Sequence, residues 1–380
     1  MTLDDSGVSP VPLVDLRAAH HDVADDVAAG FDRVLSSGGF VGGPEVAAFE
    51  AEYAEATGLA HCVGLASGTD AVEFALRASG VEAGDEVVLP ANTFVATAEA
   101  AHRIGARPVL ADIDPTTYLV DVDGAMSVVT EKTRAIVPVH LYGQLAPIER
   151  FQAQLIGTKI RIVEDAAQCQ GATRKGRAAG SNGIAATSFY AGKNLGAYGE
   201  AGAVVTDDET QARRVRLLSS HGGLKRYEHD IVGYNSRLDA LQAVVLRAKL
   251  RRLQEWNDAR RAVANRYHEL LGGLDLILPT VLDGNDHVWH LYVVRLPDDV
   301  AADQRDRVVQ ELNDHGIHAA VHYPRPVHLT KAFEYLGYRS GSFPRAEQAS
   351  ERIFSLPIYP HLTFDQQDRV VAELSRALHK

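Results

Sequence analysis

The sequence predicts an α/β protein: a parallel sheet buried between helices, followed by a smaller α+β region. Up to about residue 240, short apolar runs alternate with amphipathic stretches, as repeated βα units do. Several of those runs, such as Val137-Pro138-Val139 and Arg161-Ile162-Val163, lack the polar alternation of a half-exposed strand, which points to a sheet covered on both faces. From Arg237 onward the period changes to that of a helix.

The expected strands are His61–Ala66, Glu86–Pro90, Arg107–Asp112, Arg134–His140, Lys159–Glu164, Ile184–Phe189 and Gly202–Thr206. Pro138 counts against the fourth of them, because proline cannot donate to a ladder. Amphipathic stretches at Asp70–Ser79 and Thr93–Ile104 are expected helices. Leu238, Leu241, Val244, Val245 and Ala248 open one long helix, expected to run from Arg237 to about Leu271, where Gly272-Gly273 breaks it. His290–Leu296 and His318–His322 then read as strands, and Gln304–His315 as a helix. No repeat, low-complexity tract or linker is visible, so two packed domains are expected, a large one over residues 1–250 and a small one over 251–380.

A chain of 380 residues suits two domains, and 46% hydrophobic with 23% charged residues is ordinary globular composition. No apolar run approaches the roughly 20 residues that span a bilayer. Met1 to Pro12 is polar and acidic and does not read as a signal peptide. The two cysteines, Cys62 and Cys169, exclude a disulfide framework and suit a reducing cytoplasm. A net charge of -12 argues against general nucleic-acid binding, so an anionic ligand needs a local site.

Three motifs carry chemistry. Ser67-Gly68-Thr69-Asp70 follows a strand and opens a helix, where free N–H groups and the helix dipole favour a phosphate; Ser67 and Asp70 read equally as a capping box. Asp165 ends the strand of Ile162-Val163-Glu164-Asp165-Ala166-Ala167-Gln168, at the crevice where α/β folds place ligands. A carboxylate there either meets a cation, such as a protonated pyridine nitrogen, or caps a following helix. Lys193, between Gly192 and Asn194-Leu195-Gly196, is either a solvated loop residue or a buried amine that forms imines with carbonyls. Ser188, five residues earlier, is placed to bond a phosphate oxygen. The order of the three, anion turn then carboxylate then lysine, favours the functional reading of each.

That ordered set resembles the fold-type I pyridoxal-phosphate (PLP) enzymes of the aspartate aminotransferase superfamily. In detail it is similar to the DegT/DnrJ/EryC1/StrS family of sugar aminotransferases. The resemblance runs from Gly43-Pro44-Glu45-Val46 through Pro90-Ala91-Asn92-Thr93-Phe94, Val139-His140-Leu141-Tyr142-Gly143-Gln144 and Gly233-Tyr234-Asn235-Ser236-Arg237. It ends with His322-Tyr323-Pro324 and Leu356-Pro357-Ile358-Tyr359-Pro360. It implies a mixed, mostly parallel sheet in the large domain and PLP, cycling with pyridoxamine phosphate, as cofactor. It implies Lys193 as the Schiff-base lysine, Asp165 on the pyridine nitrogen and Gln168 on the ring hydroxyl. Phe94 then stacks on the ring, and Gly68, Thr69 and Ser188 hold the phosphate. Asn235, at the start of the long helix, reaches the cofactor of a neighbouring subunit, which makes a homodimer with shared sites; a helix cap is its other reading. Ala191 and Glu200-Ala201-Gly202 depart from the family's usual Pro and Asp-Gly-Gly.

The implied reaction moves an amino group from L-glutamate to a nucleotide-linked keto-deoxysugar, with dTDP as the expected nucleotide and C3 favoured over C4, in amino-sugar biosynthesis. Lys225, Arg226, Tyr227 and His229 form a basic-aromatic cluster suited to the diphosphate, and His322 and Tyr323 are a second candidate contact. A solvated loop and packed strand residues are their alternatives. A dehydratase of the same family is disfavoured because the sugar dehydratases replace the cofactor lysine with His, whereas Lys193 is intact. A non-catalytic PLP-binding regulator lacks any basic stripe for DNA.

Overall fold

The computed structural model describes residues 9–301 and 303–379. The N-terminal reading of Met1 to Pro12 therefore lies, up to residue 8, outside the described residues. Seven strands form the central sheet: β1 (His61–Leu65), β2 (Glu86–Pro90), β3 (Arg107–Ala111), β4 (Thr133–Ile136), β5 (Arg161–Asp165), β7 (Ile184–Ser188) and β8 (Gly202–Thr206). A two-residue strand, β6 (Thr173–Arg174), intervenes in the chain. The order across the sheet is β1-β8-β7-β5-β4-β2-β3. β2 pairs in parallel with β3 and β4, β4 with β5, and β5 with β7, while β8 runs antiparallel to both β7 and β1. The sheet is thus mixed and mostly parallel. Every residue of β7 and β8 is buried, and neither strand carries a charged residue.

All seven expected strands are present, Glu86–Pro90 and Gly202–Thr206 with the expected bounds and the other five with shifted ends. β4 stops at Ile136, before Pro138, and only the isolated bridge Val139–Asp165 continues it. β5 extends to Asp165, which places that carboxylate at the strand's carboxyl end. The helix Gly68–Ala78 follows β1, and Val95–Ile104 follows β2. Three earlier helices, Leu16–His21, Ala24–Ser37 and Gly43–Thr57, have no counterpart in the sequence reading.

The single long helix expected from Arg237 is two helices, Ala240–Leu250 and Leu253–Leu271. Ala240, Ala243, Val244 and Leu246 of the first, with Leu253, pack with Phe49, Phe189 and Ala203 beside the sheet. Val263, Ala264, Tyr267 and Leu271 of the second face a different core, with Tyr292, Val308 and Val370. One straight helix does not serve both cores, so the chain turns at Arg251-Arg252. Asn235 precedes the first helix by five residues and does not cap it; that position belongs to Asp239.

After a second two-residue strand, β9 (Asn285–Asp286), the chain forms β10 (Tyr292–Arg295), which pairs antiparallel with β11 (Ile353–Leu356). The helices Asp303–Asp314 and Phe364–Leu378 contribute Val308, Leu312, Val370 and Leu374 to the same core. The expected strand His318–His322 is not a strand. Ala320 alone bridges Ser355, after which the chain leaves the ladder and brings His322 and Tyr323 toward the central sheet. Among the described residues no helix is long and apolar enough to cross a membrane. Both cysteines are free and buried.

Candidate active site

The carboxyl ends of β1, β5 and β7 open on one cavity of about 480 Å³. Gly68, Thr69, Phe94, Asp165, Gln168, Ser188, Lys193, His322 and Tyr323 all line it. Lys193 enters from the loop after β7, where its N–H bonds the Tyr190 carbonyl. Burial pushes its ammonium down to about 8, against the pull of Asp165, Cys169 and Glu200. Asp165 and Lys193 share the cavity, and among the described residues no ion pair within 4.0 Å joins them.

Asp165 caps no helix, since none begins after it; its carboxylate is held by two donors instead. Oδ1 accepts from the Ala167 N–H at 3.1 Å and Oδ2 from the Thr97 hydroxyl at 2.8 Å. Thr97 lies 2.9 Å from the Thr93 hydroxyl, which donates to it because the Thr97 proton is already committed. Gln168 accepts from the Tyr142 N–H at 2.7 Å and donates to the Tyr323 hydroxyl at 2.9 Å, leaving one amide hydrogen for a ligand. Phe94 is 53% exposed, a ring presented rather than packed, 5.6 Å from the Tyr323 ring.

At the other end of the cavity the Ser67 side chain accepts from Asp70 N, and so does cap its helix. Gly68 N and Thr69 N, the next donors of that turn, face the cavity without a backbone acceptor among the described residues. A Cβ on Gly68 would stand 2.5 Å from Ser188 Cβ, so only glycine lets that turn approach Ser188. Ser188 Oγ accepts from Tyr190 N at 3.2 Å, which leaves its proton free to donate. Two free N–H groups, a hydroxyl donor and a helix N-terminus form a cradle for a phosphate. With the lysine amine and strand-end carboxylate, they fit a phosphorylated pyridine aldehyde.

The remaining predicted contacts stand elsewhere. Lys225 is paired with Glu228 at 3.5 Å, Arg226 lies over the exposed Tyr227 ring, and His229 Nδ1 contacts the His221 carbonyl. Asn235 is exposed and accepts from Arg237. None of these five lines the cavity of its own chain. Sequence reasoning missed Thr97, Glu200 and His290, and the apolar pair Leu13-Val14, which also line it.

A mostly parallel α/β sheet with an imine-competent lysine, a carboxylate and a phosphate cradle at its carboxyl edge defines a cofactor-dependent enzyme of amine and carbonyl chemistry. The profile of the DegT/DnrJ/EryC1/StrS aminotransferase family matches residues 22–375, and the chain belongs to that family. It is 45% identical, over 94% of this chain and 95% of the relative, to a dTDP-3-amino-3,4,6-trideoxy-alpha-D-glucose transaminase of Micromonospora megalomicea. The crystal structure of Streptomyces venezuelae DesV in complex with a ketimine intermediate superposes with a TM-score of 0.94. The two are 40% identical over 98% of this chain and 100% of that one. Bacillus subtilis NtdA with bound cofactor PMP is 31% identical, with a TM-score of 0.89 over 98% of this chain and 86% of that one.

Proposed function

We propose that this sugar aminotransferase takes nitrogen from L-glutamate and delivers it to C3 of a dTDP-linked keto-deoxysugar, with Lys193 as the cofactor-bonding residue. The reading rests on one observation: a lysine amine depressed to about 8 and a strand-end carboxylate face the same cavity beside a phosphate cradle. When bound, PLP supplies an aldehyde for imine exchange and a ring that delocalises charge from the substrate carbon, alternating with pyridoxamine phosphate.

The chain's own residues do the rest. Asp165, steadied by Thr97 and Ala167, faces the ring nitrogen. Gln168 gives its free amide hydrogen to the ring hydroxyl, and Phe94 covers a ring face. Gly68, Thr69 and Ser188 hold the phosphate. Once displaced from the cofactor, the Lys193 amine would carry the proton from the donor's Cα to C4′ of the cofactor and, in the second half-reaction, from C4′ to the sugar carbon, acting each time as general base and then acid.

His322 and Tyr323 contact the sugar from within the cavity. Lys225, Arg226, Tyr227, His229 and Asn235, exposed and away from their own cavity, serve the site of the second subunit of a homodimer. The name of the Micromonospora relative supports C3 and dTDP. The division into a large domain over 1–250 and a small one over 251–380 is part of this reading, and the turn between the two helices supports it.

The test is optical. Reconstituted enzyme absorbs as a protonated imine and loses that band on adding L-glutamate, then regains it with a dTDP-linked 3-keto-deoxysugar. Recovery with the UDP-linked or 4-keto compound instead would move the nucleotide or the carbon, and no response to glutamate would sink the transaminase reading.

A further inference from the structure

Beside the lysine loop, the tautomer of His290 is fixed by a chain of hydrogen bonds that starts at a backbone carbonyl. Gln170 O accepts from Asn257 Nδ2 at 3.0 Å, so Asn257 Oδ1 is the acceptor facing Asn194 Nδ2, also at 3.0 Å. Asn194 Nδ2 donates its second hydrogen to Val288 O at 2.9 Å. Asn194 Oδ1 can then only accept, and His290 Nδ1, 3.2 Å away, carries the proton. All three side chains are buried. Burial, with Lys193, Arg260 and His322 nearby, pushes the imidazolium of His290 well below its ordinary range, so the ring is neutral.

Nε2 therefore presents a lone pair. It has no partner among the described residues, yet it is not sealed inside the protein, and the ring lines the same cavity as Lys193, His322 and Tyr323. It opens on the reaction space. We propose that His290 is a specificity-determining residue whose Nε2 accepts a hydrogen bond from a hydroxyl of the ketosugar. This rests on the sugar-aminotransferase reading of the cavity and deepens it.

The chemistry of the two substrates selects the partner. L-Glutamate's carboxylates bring only lone pairs to Nε2, and its one nitrogen is the reacting group. The ketosugar brings hydroxyl donors. An acceptor that a bound sugar closes off from water without offering it a donor weakens that sugar's binding about 10- to 100-fold, and a site built to pair a hydroxyl rejects an analogue that lacks it. His290 thus sorts sugars by which carbon keeps its hydroxyl, while the apolar Leu13, Val14 and Leu291 line other parts of the wall.

His290→Asn keeps a donor where Nδ1 stands and removes the acceptor. Each half-reaction is followed separately by cofactor absorbance, and binding of the dTDP-amino-sugar product by calorimetry. The expected result is a glutamate half-reaction within about twofold of wild type, with kcat/KM for the sugar down about 10- to 100-fold and product binding weakened in step. Wild-type enzyme is also given dTDP-linked 3-ketosugars that differ by one hydroxyl, at C2, at C4 or at C6. It should lose about the same factor with one of them, and His290→Asn should lose nothing further. If both half-reactions fall equally, His290 acts on Lys193 instead and the proposal is overturned. It is equally overturned if wild type treats all three analogues alike. Wild type that ignores L-glutamate would sink the underlying transaminase reading as well, so the two failures are distinguishable.

Discussion

Two buried lysines set the residue-scale energetics. Lys193 and Lys249 are each pushed down to about 8 by burial, from an ordinary value near 10.5. In the cofactor-free protein the unfolded chain binds more protons than the folded one between pH 8 and 10.5, so stability rises with pH through that window. Each lysine contributes a slope of at most about 1.4 kcal/mol per pH unit, and Lys193→Met should remove one share while raising stability below pH 8. Chemical denaturation at pH 7, 8.5 and 10 reads this; an unchanged slope would mean the apo amine is solvated. Thr97 is the second test at this scale. Its hydroxyl donates to Asp165, so Thr97→Val should cost about tenfold in kcat and Thr97→Ser should restore most of it. Equal loss in both variants would reduce Thr97 to packing. Lys193 and Asp165 were legible in the sequence because each sits in a short local motif. Thr97 and His290 were not, because their partners lie 68 and 96 residues away and only the fold brings them together.

At the scale of elements, the lysine loop is clamped between the sheet and the Ala240–Leu250 helix. Lys249 Nζ donates to Gly196 O at 2.6 Å and lies 4.8 Å from the Tyr198 ring, while Gln242 exchanges hydrogen bonds with the Tyr198 backbone. The sequence placed Lys249 in a helix but gave no sign of this clamp, since helical spacing shows which face is apolar and not what a buried charge meets. The turn at Arg251-Arg252 was hidden for a related reason. Both helices keep good spacing, and only the two separate cores they fill require the break. Strands were easier, because a parallel strand buried on both faces is apolar throughout. Gly68 gives this scale its prediction. With a Cβ, the turn and Ser188 must part, so Gly68→Ala should weaken PLP binding about tenfold or more while the apo protein keeps its circular dichroism. Undiminished affinity would remove the phosphate from that turn.

At the scale of the whole molecule, the proposed subunit exchange explains why a basic-aromatic loop with Tyr227 at 80% and Val232 at 92% exposure stands away from its own cavity. Mixing Lys193→Ala with Asn235→Ala subunits should give heterodimers in which one site carries both lesions and the other carries none. About half of wild-type activity per mixed dimer is expected, or about a quarter for a randomly paired mixture, read by ultracentrifugation and turnover together. Mixtures no more active than their parents would confine each site to one chain.

Everything in this account passes through the amine of Lys193, and borohydride reduction tests it most directly. Reduction of the reconstituted enzyme, followed by digestion and mass spectrometry, should place the phosphopyridoxyl adduct on the peptide containing Lys193 and leave Lys193→Ala unlabelled. An adduct on another lysine, or equal capture by the Lys193→Ala protein, would contradict it.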